Sequence, residues 1–488
     1  MLALLGFDAS SPALRDALIA EGRLPALAGL LARGPELRLR TPATWLAAAS
    51  FPTLWSGIEP GDHGLHYPFQ WCASGQRIRP ASAFPAPEAF WERIARAGRR
   101  VLVVDPYEAR PMRDSSAVIL SGVGFTNRVT LQRWSSAPAA LKAAERGQGR
   151  GPAADEVFGQ PSPGALRRLH GRLLAAPDRT ASLVCDALAS KPPDLLVCCL
   201  PSVHLGGHQF WSLERADGGL PALYEAADAA LARIIASLPP GADIIVFSPL
   251  GMATNTSRAD LLPGMLDAVL TGRRPEQRRG GDSLWRLRAK LPTDLRASVA
   301  RMLPDRVALE LTARLDLRGI DWSRTRAFTV PNDHHGFIRL NLTGRERDGI
   351  VSPGEVGELV AELAAGLATF HDPDGTASVA AVERTADVIE HGAHSGQLPD
   401  LVVRFAETPT SSLDRVVSPV FGEVVRHGAG SGREGNHTDE AWALLAPGAS
   451  RLRTPARDPR LTDLGATAAA LLVGDIAGLA GEPLLEPA

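Results

Sequence analysis

Short, almost unbroken apolar runs recur along the 488-residue chain, each closed by polar or turn residues. "LALLGFD" near the start, "RRVLVVDP" at 99–106, "DLLVCCLP" at 194–201 and "ADIIVFSP" at 242–249 have this form. A strand with one wet face alternates apolar and polar residues, whereas a strand covered on both faces reads as a continuous run. Between these runs the period changes. "SPALRDALIAEGRLPALAGLLARG" and "LPALYEAADAALARIIASLP" place Leu, Ile and Ala at helical spacing. Alternating buried strands and amphipathic helices predict an α/β chain with a mostly parallel sheet and right-handed crossovers. Functional residues in such sheets gather beyond the carboxyl ends of the strands. Asp8, Asp105, His204 and Ser248 occupy those places.

Two stretches depart from the pattern. Residues 107–170 are rich in Gly, Pro, Ala and Ser and read as an irregular excursion. Residues 253–325 are helical in period and Arg-rich, as expected of an inserted cap or lid. The predicted core is therefore residues 1–252 together with 326–488. In the second part "GFIRL" and "LPDLVVRFA" read as strands, "VGELVAELAAGLATF" as a helix and "AWALLAPG" as a last strand.

Composition narrows the class. The chain is 45% hydrophobic and 22% charged, with a formal net charge of -2. That balance suits a large globular core and argues against nucleic-acid or membrane partners, which need a basic face. No apolar run approaches the roughly eighteen residues of a membrane span. "MLALLGFDAS" lacks the basic n-region of a signal peptide and reads as a strand. The cysteines, Cys72, Cys185, Cys198 and Cys199, form no C-x-x-C pair, and the adjacent two sit in an apolar run as small hydrophobes. A soluble, reducing, cytoplasmic setting is expected. The oligomeric state leaves no readable mark.

The candidate chemistry centres on "LPSVHLGGHQFW" at 200–211, with His204 and His208 four residues apart. On a helix both can reach one ion, but a bare pair can equally close a turn. A metal site wants three or four ligands. His437 in "GSGREGNHTDEAWALL" and Asp8 are candidates for the remainder. Asp8 could also cap the helix that follows it. His334 and His335 in "VPNDHHGFIRL" either bind substrate or fill a turn, and His63 in "GIEPGDHGLHYP" reads as part of a Gly-rich turn.

Several segments carry a family resemblance. "LLGFDASSPALRDALIAEGRLPALAGLLARG", "FPTLWSGIEPGDHGL", "GFIRLNLTGRERDGIV", "LPDLVVRF" and "GNHTDEAWALLAPG" occur in the order, and over nearly the whole length, of one known pattern. They resemble the type I phosphodiesterase / nucleotide pyrophosphatase branch of the alkaline phosphatase superfamily. The resemblance implies an α/β sandwich with a two-metal, usually two-zinc, site at the strand ends. It also implies a Thr or Ser nucleophile that attacks a phosphorus or sulfur ester. Carried over by position, one metal site survives as His208, His437 and His204, the last standing where the family has Asp. The first-strand aspartate is Asp8. The other site is degenerate: "SPLGM" replaces Ser-Asp-His-Gly-Met, so Pro249 and Leu250 stand for two ligands. The nucleophile position falls on Ala47, with Thr44 and Ser50 nearby.

These readings converge on an alkaline-phosphatase-like three-layer α/β sandwich with a mostly parallel central sheet and a helical insertion. The expected function is a divergent metal-dependent hydrolase of a phosphodiester, pyrophosphate or related small-molecule ester. One zinc on His204, His208 and His437 would serve it, with iron or manganese as other ions and Asp8 as further ligand or general base. His334 and His335 would contact substrate. The alternatives are a catalytically silent binding member, and a mononuclear metalloenzyme of another reaction type on which three histidines hold iron or copper.

Overall fold

The structure is a computed structural model that describes residues 1–112, 115–155, 161–211, 219–272, 320–426 and 430–488. Five parallel strands form the middle of an eight-stranded sheet, in the spatial order Asp243–Ser248, Leu2–Gly6, Leu195–Cys199, Val101–Val104 and Val118–Ser121. Ala441–Ala446 joins antiparallel beside Asp243–Ser248, Glu36–Leu39 lies outside it, and Trp134–Ser135 closes the other edge. Every residue of Leu2–Gly6, Leu195–Cys199 and Asp243–Ser248 is buried. Successive side chains of a strand point to opposite faces, so both faces are covered. The continuous apolar runs are explained by that double burial. Cys198 and Cys199 pack inside it as the sequence suggests.

The covering helices fall into two groups. Pro25–Leu31 and Pro163–Ser190 pack on Gly219–Ser237, while Ser50–Ser56 and Phe90–Arg96 pack on Asp463–Val473. The first amphipathic segment is two helices, Pro12–Ala20 and Pro25–Leu31, separated at Gly22, whose φ of 73° ends the first. Residues 107–170 are less irregular than expected. They supply the last parallel strand Val118–Ser121, the edge strand Trp134–Ser135 and the helix Pro138–Gln148. The runs there are too short for periodicity to reveal.

A second core surrounds a four-stranded antiparallel sheet in the order Ala327–Val330, Gly336–Leu340, Leu401–Phe405, Val379–Arg384. Helices Leu262–Thr271 and Val356–Leu367 pack on one side of it. The first part of the expected insertion is thus built into this second core, while residues 273–319 lie outside the described residues. On its other side Phe328, Val330, Phe337 and Val402 meet Leu46, Ala49, Trp71 and Ile78. That contact sets the loop carrying His334 and His335 against the carboxyl ends of the main sheet.

Candidate metal centre

Helix Ser202–Phe210 starts directly after the strand Leu195–Cys199 and is buried throughout. Its 3.6-residue period puts His204 and His208 on one face. Two close approaches let it sit so deep. A Cβ on Gly207 would lie 2.8 Å from Met252 Cγ, and one on Gly435 would lie 2.3 Å from the Gly207 carbonyl oxygen. The short ribbon of Gly251–Thr254 and Gly435–Thr438 pairs Met252 with His437. The Glu434 N–H donates to the His208 carbonyl at 2.8 Å, fastening that ribbon to the helix. Three elements distant in sequence therefore bring three imidazoles together.

The rings of His204, His208 and His437 lie 4.7–5.1 Å apart by centroid. One nitrogen of each falls within 4.8 Å of the others. Second partners orient two of the rings. His204 Nδ1 is 2.8 Å from Asp8 Oδ2, and His208 Nδ1 is 3.0 Å from the Gly435 carbonyl oxygen. Both acceptors require an N–H at Nδ1, which leaves Nε2 as the nitrogen of each ring that can take an ion. His437 Nε2 lies 2.9 Å from His204 Nε2. Burial, together with the charge of Arg433 and the neighbouring histidines, holds His208 and His437 well below the usual imidazole range. Imidazoles whose Nδ1 is held by an acceptor, as in His204 and His208, are donors that zinc and related ions take. The residues therefore fit a metal ion.

The other residues expected at this site fall into distinct places. Asp8 is fully buried and turned to His204, and its Oδ1 has no hydrogen-bond partner among the described residues. It does not cap the following helix, because Ser11 does so by accepting from the Leu14 N–H. His334 stands beside the centre, 6.5 Å from His437 by ring centroid, with Nδ1 buried and unpartnered. His335 Nε2 donates to the Thr44 carbonyl at 3.1 Å, an arrangement that ties two loops together. His63 Nε2 meets Thr53 Oγ1 at 2.9 Å and its Nδ1 accepts from the Leu65 N–H, in keeping with a structural turn. Asp105 accepts the N–H groups of Gly122, Val123 and Gly124 and the Thr180 hydroxyl, so it too shapes a loop.

Around Ala47 and Leu250 the environment is apolar. Ala9, Ala43, Ala47, Leu250 and Met252 form one buried cluster, with Trp211 against it. Ser50 is fully buried, its hydroxyl 3.1 Å from Thr41 Oγ1, which itself donates to the Pro249 carbonyl. The Thr44 hydroxyl donates to Asp439. Both hydroxyls are engaged in hydrogen bonds to other side chains.

Three neighbours of the centre escape sequence reasoning. Tyr107 packs its ring 4.7 Å from that of His204. Glu108 follows it with a φ of 55°, a left-handed conformation rare outside glycine. Burial, then the charges of Asp8 and Asp333, push the Glu108 carboxyl up to about 8, against the pull of Arg433. Arg433 pairs with Asp333 at 2.6 Å. The available signal was their position: Glu108 lies in the turn that follows the buried strand Val101–Val104, while Arg433 and Asp333 stand close in sequence to His437 and His334.

No protein-family model matches the sequence, and no curated protein sequence does. Solved structures do match. Phosphonoacetate hydrolase from Sinorhizobium meliloti 1021, solved with phosphonoformate, superposes with a TM-score of 0.53 at 14% identity, over 97% of this chain and 95% of that one. The alkaline phosphatase PafA superposes with a TM-score of 0.53 at 12% identity, over 99% and 97%. The chain has the alkaline-phosphatase-like fold. Within it, the three histidines stand at the carboxyl ends of the parallel strands, where such sheets carry their sites.

Proposed function

We propose that this chain is a metal-dependent hydrolase of a phosphodiester, pyrophosphate or related small-molecule ester, working with one ion on His204, His208 and His437. The observation that carries the reading is the trio itself: His204 and His208 each have Nδ1 committed to an acceptor, so that their Nε2 lone pairs converge with His437. The fold shared with a phosphonoacetate hydrolase and an alkaline phosphatase, and the sequence resemblance to type I phosphodiesterases, support a phosphorus ester as the substrate class. Zinc suits three neutral imidazoles best, with iron or manganese as alternatives. Such an ion supplies Lewis acidity toward an ester oxygen and lowers the pKa of water toward about 7.

The chain's own residues perform the rest. With Ala47 at the family's nucleophile position and Ser50 and Thr44 engaged elsewhere, no covalent intermediate forms on a hydroxyl, and water attacks directly. Burial and the charges of Asp8 and Asp333 raise the Glu108 carboxyl to about 8. His334, with Nδ1 unpartnered, is placed to contact substrate, while His335 braces the loop. All four cysteines are free, in keeping with a reducing, cytoplasmic setting. Among the described residues no helix is long and apolar enough to cross a membrane.

Elemental analysis of the purified chain, followed by a panel of phosphorus esters, tests this reading. One ion per chain and a metal-dependent turnover that His208→Ala abolishes are expected. The apolar cluster at Ala47 and Leu250 favours a second reading, a silent member that keeps the metal or cleft for binding. A full metal complement without turnover of any ester would select it.

A further inference from the structure

Asp8 is hydrogen-bonded to His204 of the three-histidine centre, yet it falls outside the donors that lie within 4.8 Å of one another. Its Oδ2 takes the Nδ1 side of His204, the side opposite the nitrogen turned toward His437. The residue next to it, Ala9, belongs to the apolar cluster with Ala43, Ala47, Leu250 and Met252, and among the described residues no second group of three His, Cys, Asp or Glu donors gathers. Asp8 is also fully buried, two residues after the strand Leu2–Gly6.

We infer that Asp8 is a positioning residue of a one-ion centre, holding the Nδ1–H of His204 so that Nε2 is the ligating atom. This rests on the three-histidine reading and assigns Asp8 a place in it. A carboxylate behind a ligating imidazole fixes its tautomer and ring orientation and raises its basicity, and its removal weakens metal binding about 10–100-fold. A fully buried carboxylate is in turn stabilised by the positive charge that arrives with the ion. His208 has the weaker form of the same device, a backbone carbonyl. The ring of His204 further packs against Tyr107 at 4.7 Å and Phe51 at 6.4 Å, two rings that also pack on each other. Asp8 thus selects the tautomer in a ring whose plane is already set by packing.

The test compares the full chain with Asp8→Asn, Asp8→Ala and His204→Ala. Each is stripped with a chelator, checked by circular dichroism and titrated with zinc against a chromogenic chelator. Histidine tautomers of the stripped proteins are read from nitrogen-15 spectra. The expected wild type binds one zinc and shows His204 as the Nδ1–H tautomer. Asp8→Ala should still bind one zinc, about 10–100-fold more weakly, with the tautomer no longer fixed. The isosteric Asp8→Asn should fall between, and it decides the matter if Asp8→Ala does not fold. His204→Ala should lose more affinity than either. Unchanged affinity and tautomer in both Asp8 variants would overturn the inference by showing an idle carboxylate. Loss as complete as in His204→Ala, or a second ion that departs with Asp8, would overturn it by making Asp8 a ligand. A wild type that binds no zinc would instead remove the three-histidine reading beneath it.

Discussion

His204 and His437 meet Nε2 to Nε2 at 2.9 Å, although 233 positions separate them in the chain. The Nδ1–H of His204 belongs to Asp8, so the proton between the two rings is carried by His437. Ligation through that same nitrogen requires His437 to move its proton to Nδ1. Adding zinc to the stripped chain should therefore exchange the nitrogen-15 signature of His437 from Nε2–H to Nδ1–H while His204 keeps its own. An unchanged His437 spectrum with zinc bound would place that residue outside the ligand set.

Leu250 stands where the family resemblance would put a metal-binding histidine, and it is 1% exposed among Ala9, Ala43, Ala47 and Met252. Leu250→Ala opens a cavity there. A loss of about 2–3 kcal/mol is expected, the lower part of the range for buried leucine, because small neighbours leave fewer contacts to lose. Urea unfolding measures it. Zinc stoichiometry should not change, since Leu250 holds no donor.

Gly435 bears on the centre through its backbone. Its carbonyl accepts from His208, and a Cβ would collide with the Gly207 carbonyl at 2.3 Å. Neither partner in that collision is a flexible side chain, so Gly435→Ala must push the ribbon and helix apart. About 1–3 kcal/mol of destabilisation follows from overpacking of this kind. Zinc affinity should fall with it, because His208 and His437 ride on the two displaced elements. A stable variant with wild-type affinity would show that the contact yields freely.

Acid should destabilise the chain through its buried histidines, an effect that the raised carboxyls of Glu108 and Asp105 offset only in part. Burial holds His63 down at about 3, and His66 and His335 at about 4, against an unfolded value of 6.5. Below 6.5 the unfolded chain binds protons that the folded chain refuses, so stability falls as pH falls. The slope is about 1.4 kcal/mol per pH unit for each such histidine, over the window from 6.5 down to about 4. Urea midpoints at pH 7, 6 and 5 should decline in that order. His335→Gln should flatten the decline, because its amide keeps a donor for the Thr44 carbonyl without titrating.

The layered fold was legible because double burial leaves a trace in one dimension. Strands such as Leu195–Cys199 and Asp243–Ser248 must be apolar at every position, and Gly219–Ser237 must repeat every 3.6 residues. His204 and His208 were legible as a pair for the same reason, since their spacing is a property of one helix. The short strands Val118–Ser121 and Trp134–Ser135 left too short a pattern. The partners of the centre left none. Which nitrogen of His204 faces Asp8, how Gly435 presses on Gly207, and how Glu108, Asp333 and Arg433 share one field are contacts between distant segments. Sequence alone determined the strands, the helices and the histidines available to one ion. Tertiary structure alone decided their tautomers, their charge state and the apolar closure at Ala47 and Leu250, because burial and hydrogen-bond partners exist only once the chain has packed.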